Sequence, residues 1–235
     1  MAAFLARRTI SLPGGLLVCL AAIASPAALA ASAKTPLALR VEHQLSSQGS
    51  DGVKRDVAFA EHVYRSGDAV WIERELPPGA GHAAEHASAG AGHKHADLST
   101  AARWIEQPPG GKLSVRLVSD PLKKTFAVNP AEYGNIGFDG SWATAYHLLD
   151  PAALKKMKAV GPIRGGAQQY QLRRADESVM VLWDVAGQYP RSVQSRSAGG
   201  KSTKYTRVTV VATPQRAPWA RTAHYTRGEY TDLMD

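Results

Sequence analysis

The chain has 235 residues and a net charge of +8, with 44% hydrophobic residues, 20% charged residues and a single cysteine. That composition is too apolar and varied for a disordered chain, and one cysteine excludes an intramolecular disulfide scaffold. The length suits one or two domains and gives no collagen-like or heptad repeat.

The first segment reads as an address. Arg7 and Arg8 form a basic start, and Leu16 to Ala24 is an apolar run. It is shorter than the roughly 20 residues needed to span a bilayer. Ala28-Leu29-Ala30 then offers a small-x-small cleavage pattern. Residues 1–30 are therefore expected to be a secretory signal peptide cleaved near Ala30, with the mature chain, 31–235, an exported single domain. Those thirty residues carry two arginines, no carboxylate and Cys19, so their removal takes the charge to +6 and leaves no thiol. No later apolar run approaches the length of a membrane span.

The mature sequence reads mainly as short strands. Val53 to Tyr64 alternates, with Val57, Phe59 and Val63 on one side. Arg65-Ser66-Gly67-Asp68 is turn-like, and Ala69 to Leu76 resumes as a strand with Val70 and Ile72 on one side. Glu73 and Glu75 share the other side and read as exposed edge charges that oppose aggregation.

Residues 79–96 are rich in Ala, Gly and His and read as a flexible loop. They hold His82, His86, His93 and His95, at H-x3-H and H-x-H spacing. Neutral imidazoles at such spacing can ligate copper, zinc or nickel, so these four are the candidate metal ligands. A mobile linker is the competing reading, because a loose loop loses entropy on ordering round an ion.

Asp97 then reads as a helix cap, with Leu98, Ala101, Ala102 and Ile105 at helical spacing. Leu113, Val115 and Leu117 alternate, Ser119-Asp120-Pro121 turns the chain, and Thr125 to Val128 is a further strand. Gly134 to Trp142 is glycine-rich. It reads as a tight turn entering a helix with Ser141 as cap rather than as a nucleophile loop. Asp150-Pro151 starts another helix, with Leu154 and Met157 on one side, and Lys155, Lys156 and Lys158 give it a basic face.

Four more strands follow at Gln169–Arg173, Ser178–Asp184, Arg191–Ser197 and Tyr205–Thr213. Ala198-Gly199-Gly200-Lys201 turns between the last two. Short loops between neighbours imply antiparallel pairing, and segregated helices imply an α+β fold with a sheet covered on one face.

The stretch Val179-Met180-Val181-Leu182-Trp183-Asp184, then Tyr189-Pro190-Arg191-Ser192-Val193, then Tyr205 to Val211, resembles the LolA-like outer-membrane lipoprotein-sorting proteins, in motif over about 178–212 and in outline over 38–235. The resemblance implies a strongly curved antiparallel sheet, an incomplete barrel, with two or three short helices as a lid over an apolar cavity. It implies a periplasmic carrier that shields a lipid or lipoprotein acyl chain, with a lipid, a lipoprotein or an envelope protein as partner. Phe59, Trp71, Trp104, Phe126, Trp142 and Trp183 are the residues expected to line such a cavity. The resemblance fixes no lid arginine; Arg103, Arg164, Arg173 and Arg174 all remain open. The alternative function is a periplasmic metal-binding protein using the His-rich loop.

No G-x-S-x-G, H-E-x-x-H, P-loop or C-x-x-C motif is present, so no catalytic residue is expected. Export removes the chain from cytoplasmic nucleic acid, so the basic charge points to peripheral contact with an anionic membrane or an acidic partner.

Overall fold

The computed structural model describes residues 35–76 and 100–233. The signal-peptide expectation, the four loop histidines and the expected cap at Asp97 lie outside the described residues. The elements in chain order are β1 (Leu37–Gln48), β2 (Lys54–Ser66), β3 (Ala69–Arg74), β4 (Ala102–Glu106), β5 (Ser114–Ser119), β6 (Lys124–Val128), α1 (Trp142–His147), α2 (Pro151–Leu154), β7 (Lys158–Arg164), β8 (Ala167–Arg173), β9 (Glu177–Asp184), β10 (Tyr189–Ser197), β11 (Ser202–Val211) and β12 (Thr226–Glu229). Short 3-10 segments at Pro130–Ile136, Ala198–Gly200, Pro218–His224 and Tyr230–Leu233 complete the frame.

All twelve strands join one sheet in the order β12-β6-β5-β4-β3-β2-β1-β11-β10-β9-β8-β7. It is a curved, open sheet with few short helices, the half-barrel that the motif led us to expect. Two meanders, β1–β6 and β7–β11, meet where β1 pairs antiparallel with β11. The β12–β6 pair is parallel, so the C-terminal segment covers an edge that would otherwise stand open.

Directly paired residues share a face, so the register sorts the side chains. Leu39, Val63, Ile72, Arg103, Leu117 and Phe126 form one row across β1 to β6 on the concave face. Over this face pack the Pro130–Ile136 segment, α1 and α2, with Tyr133, Tyr146 and Leu154 buried. Ser141 caps α1 by accepting from Thr144 N at 3.1 Å, and Asp150 caps α2 by accepting from Ala152 N at 2.8 Å. Both caps stand where their residue types and spacing placed them.

Four expectations need correction. The helix expected through Ala101, Ala102 and Ile105 is strand β4. Ala102 and Ile105 are both buried, but on opposite faces, because the sheet has packing on both sides there. The sheet is therefore not covered on one face only. A second cluster of Ala38, Tyr64, Trp71, Ala102 and Val118 lies on the convex face, under Trp219 and Tyr225 of the C-terminal segment. β3 is an interior strand, so Glu73 and Glu75 are not edge charges. They accept from Arg221 at 2.8 Å and Arg40 at 2.7 Å. The lysines 155, 156 and 158 do not share a helix, because α2 ends at Leu154 and Lys158 opens β7.

Candidate functional site

The concave rows leave a cleft of about 410 Å³ over β2 to β5. Phe59, Ile72, Leu117 and Ile136 give it an apolar lining, and Tyr230 walls one side. This volume lies within the usual range of small-molecule sites. Ile72 and Ile136 also pack against the principal core, so the cleft is a continuation of the core that side chains do not fill.

Charged groups stand inside the same cleft. Glu61 and Arg74 are direct partners between β2 and β3, and Arg103 faces Ile72 from β4. Arg103 donates to Glu61 Oε1 at 2.9 Å. His43 Nε2 lies 3.5 Å from Glu61 Oε2, and His43 Nδ1 lies 3.3 Å from Thr206 Oγ1. Nε2–H donating to the carboxylate and Nδ1 accepting from the threonine hydroxyl satisfy all three groups. Burial acts to raise the pKa of Glu61. Hydrogen bonding to His43 and the positive charge of Arg103 outweigh it and hold the carboxyl below its ordinary value.

Phe59 ties this network to the apolar lining. His43 stacks on its ring with centroids 4.7 Å apart, and the Arg74 guanidinium lies 4.3 Å from its centroid. Arg74 makes no ion-pair contact among the described residues, so the phenyl ring fixes a cation at the cleft rim. The site is thus amphipathic: an aliphatic and aromatic floor, with one carboxylate, two guanidiniums and one imidazole at its side. A hydroxyl, imidazole and carboxylate in sequence resemble a nucleophile relay. Thr206 is only 8% exposed, however, so its hydroxyl orients the ring and is not presented to a substrate.

Of the six aromatic residues expected at a cavity, Phe59 lines this cleft. Phe126 lies buried in the adjoining core and Trp142 packs against that core beside Tyr146. Trp183 belongs to a third cluster with Val181 and Leu154. Trp71 and Trp104 pair with each other on the convex face, because Val70 and Ile72 take the concave positions of β3. Among the described residues no group of three or more His, Cys, Asp or Glu could hold a metal.

The arginine that meets the helical cover is Arg65, which the sequence did not single out. It is 4% exposed, and its guanidinium donates to the carbonyl oxygens of Tyr146 at 2.6 Å, of Gln188 at 3.4 Å and of Gly187. It also lies 4.7 Å from the Tyr146 ring centroid. His147 Nδ1 adds a contact of 2.8 Å to the Gln188 carbonyl. These bonds tie α1 to β2 and to the β9–β10 turn.

That turn is built by the motif residues. Asp184 accepts from Gly187 N at 2.6 Å and from Arg191 at 2.9 and 2.7 Å. Gln188 takes a left-handed conformation, with φ of 52°. The effect is to aim the carbonyls of residues 187 and 188 at Arg65. An arginine read as the first residue of a turn carried no sequence cue for this role. Its inward parity with Val57, Phe59 and Val63 was the one signal that could have found it.

No sequence family matches the chain, and no curated protein matches it by sequence. Solved structures with similar folds include a conserved protein from Thermus thermophilus, at 9% identity and a TM-score of 0.42, covering 86% of this chain and 94% of that one. A LolA superfamily protein from Nitrosomonas europaea matches at 7% identity and a TM-score of 0.34, covering 84% and 96%. PNGF-II matches at 10% identity and a TM-score of 0.36 over 84% of this chain, which spans about a third (33%) of that protein's length. All of these TM-scores lie below 0.5, so none of the three lends its activity, ligand or partner to this chain. Among the described residues no helix is long and apolar enough to cross a membrane.

Proposed function

We propose that the chain is an exported carrier that holds the apolar chain of a lipid or lipoprotein in the concave cleft. The observation that carries this reading is the unfilled cleft of Phe59, Ile72, Leu117 and Ile136 with Arg74 fixed at its rim. Each buried methylene of a guest gains roughly 0.8 kcal/mol, and a rim guanidinium suits an anionic head. The inward charges Glu61 and Arg103 satisfy each other beside Arg74, so the cleft holds no unpaired carboxylate. The site is built for binding and assigns no bond-making step. An envelope protein that delivers or receives the guest is the partner class this reading implies.

The test is displacement of a fluorescent fatty-acid probe from the full chain by palmitate. Ala101 lines the cleft and is partly buried, so Ala101→Phe fills the space. Palmitate is expected to displace the probe from the unmodified protein, and Ala101→Phe is expected to lose probe binding while keeping its far-UV circular dichroism. Arg74→Gln is expected to weaken palmitate several-fold and leave a neutral monoglyceride unaffected. Equal binding to the Ala101→Phe protein, or no binding by any form, would overturn the proposal.

A further inference from the structure

The convex face carries a second cavity, of about 340 Å³, that shares no residue with the concave cleft. Its walls are Trp104 and Trp219, with indole planes 6° from parallel and centroids 6.3 Å apart, and Tyr225. Register explains the placement. Trp104 pairs with Trp71 and Arg116 on this face, and the Pro218–His224 segment lays Trp219 against them.

Polar groups complete the walls. Arg116 lies 4.4 Å from the Trp104 ring centroid and donates to Glu106 at 2.5 Å, so a planar guanidinium and a carboxylate sit together beside an indole face. The indole Nε1–H of Trp104 is buried and has no acceptor among the described residues. With almost no accessible surface, that donor is out of a ligand's reach, so the cavity meets the carbon part of the ring. Arg227 also lines the cavity, is exposed and makes no ion pair among the described residues. A neighbouring cleft of about 510 Å³, lined by Asp120, Lys123, Arg221 and His224, continues from Tyr225. The two together form an elongated, net cationic path.

From this arrangement we infer that the convex cavity is a saccharide site, and that its ligand is an acidic oligosaccharide. The lining contains no Leu, Ile, Val or Met, so it does not suit an acyl chain. Flat indoles match the C–H faces of sugar rings. Arg116 with Glu106 offers donors and an acceptor to neighbouring hydroxyls. Arg227 then binds a carboxylate or phosphate on the sugar.

The full chain is titrated with tetragalacturonate and, separately, with chitotetraose, and tryptophan fluorescence is followed. Tetragalacturonate is expected to bind and shift the emission, and chitotetraose to bind more weakly. Arg227→Ala, an exposed change that leaves packing intact, should weaken tetragalacturonate about tenfold and leave chitotetraose unchanged. Trp104→Leu removes the flat aromatic wall and should weaken both. Three results would each overturn the inference: no tetragalacturonate binding, binding that Arg227→Ala does not weaken, or equal binding of a tetraglutamate peptide, which would show that charge alone is read. Palmitate binding in the concave cleft is unaffected by any of these outcomes, since the two sites share no lining residue.

Discussion

Arg65 shows how one side chain holds two layers together. Its guanidinium is buried among backbone carbonyls with no carboxylate, and burial pulls its pKa down without removing the charge. Arg65→Met leaves the carbonyls of Tyr146, Gly187 and Gln188 without their donor. It should cost about 3 kcal/mol of unfolding free energy, read as a lower urea midpoint, with Arg65→Lys intermediate. His147 beside it gives a pH signature. Burial lowers its pKa and the Gln188 carbonyl raises it; Arg65 lowers it and Asp150 raises it, with a net fall from the ordinary 6.5. The unfolded imidazole therefore takes up its proton at a higher pH than the folded one. Stability is full above about 6.5 and declines as pH falls from there through the folded value. Urea midpoints measured from about pH 7 to about pH 5 should drop for the natural chain. They should stay nearly flat for His147→Gln, which keeps an amide donor and cannot titrate in this range. Glu61 adds a second loss at lower pH, below the ordinary carboxylate value, since its folded pKa is also depressed.

At the scale of elements, the β9–β10 hairpin explains why the motif has its residue types. Asp184 fixes the turn, and Pro190 sits at a register shift where the β9–β10 ladder is irregular. Asp184→Asn removes the charge-assisted bonds from Arg191, and the turn carbonyls then lose their aim. We expect a loss of about 2 kcal/mol that is not additive with Arg65→Met, because both changes break the same link; a double-mutant cycle in urea would read this coupling. Alternation exposed most strands to sequence reading, and the caps at Ser141 and Asp150 exposed both helices. β7 stayed hidden because every one of its residues is exposed and it contains Gly161 and Pro162, which only an edge strand tolerates. β4 was misread because Ala102 and Ile105 are both buried at a helical interval. In a sheet packed on both faces that interval carries no helical meaning.

Over the whole molecule, the C-terminal segment is what sequence reading could not place. Residues 212–225 cross the convex face and bury Trp71 beneath Arg221 and Trp219; β12 then pairs with the edge of β6, and Tyr230 returns to the concave core. This second cover depends on contacts between residues more than a hundred positions apart, such as Arg221 with Glu73 and Tyr225 with Asp120, and no local pattern encodes it. The candidate cleft was half legible for the same reason. The period-two pattern put Phe59 on the inner face, but pairing register decides that Arg74, Arg103 and Glu61 stand beside it. The central proposal is that this cleft, on the inner face of the half-barrel, carries an apolar chain. Native mass spectrometry of the protein purified from the cell envelope tests it most directly. The account predicts a lipid-mass adduct on the natural chain that is lost from Ala101→Phe. A natural chain that carries no lipid and takes up none when incubated with palmitate would contradict it.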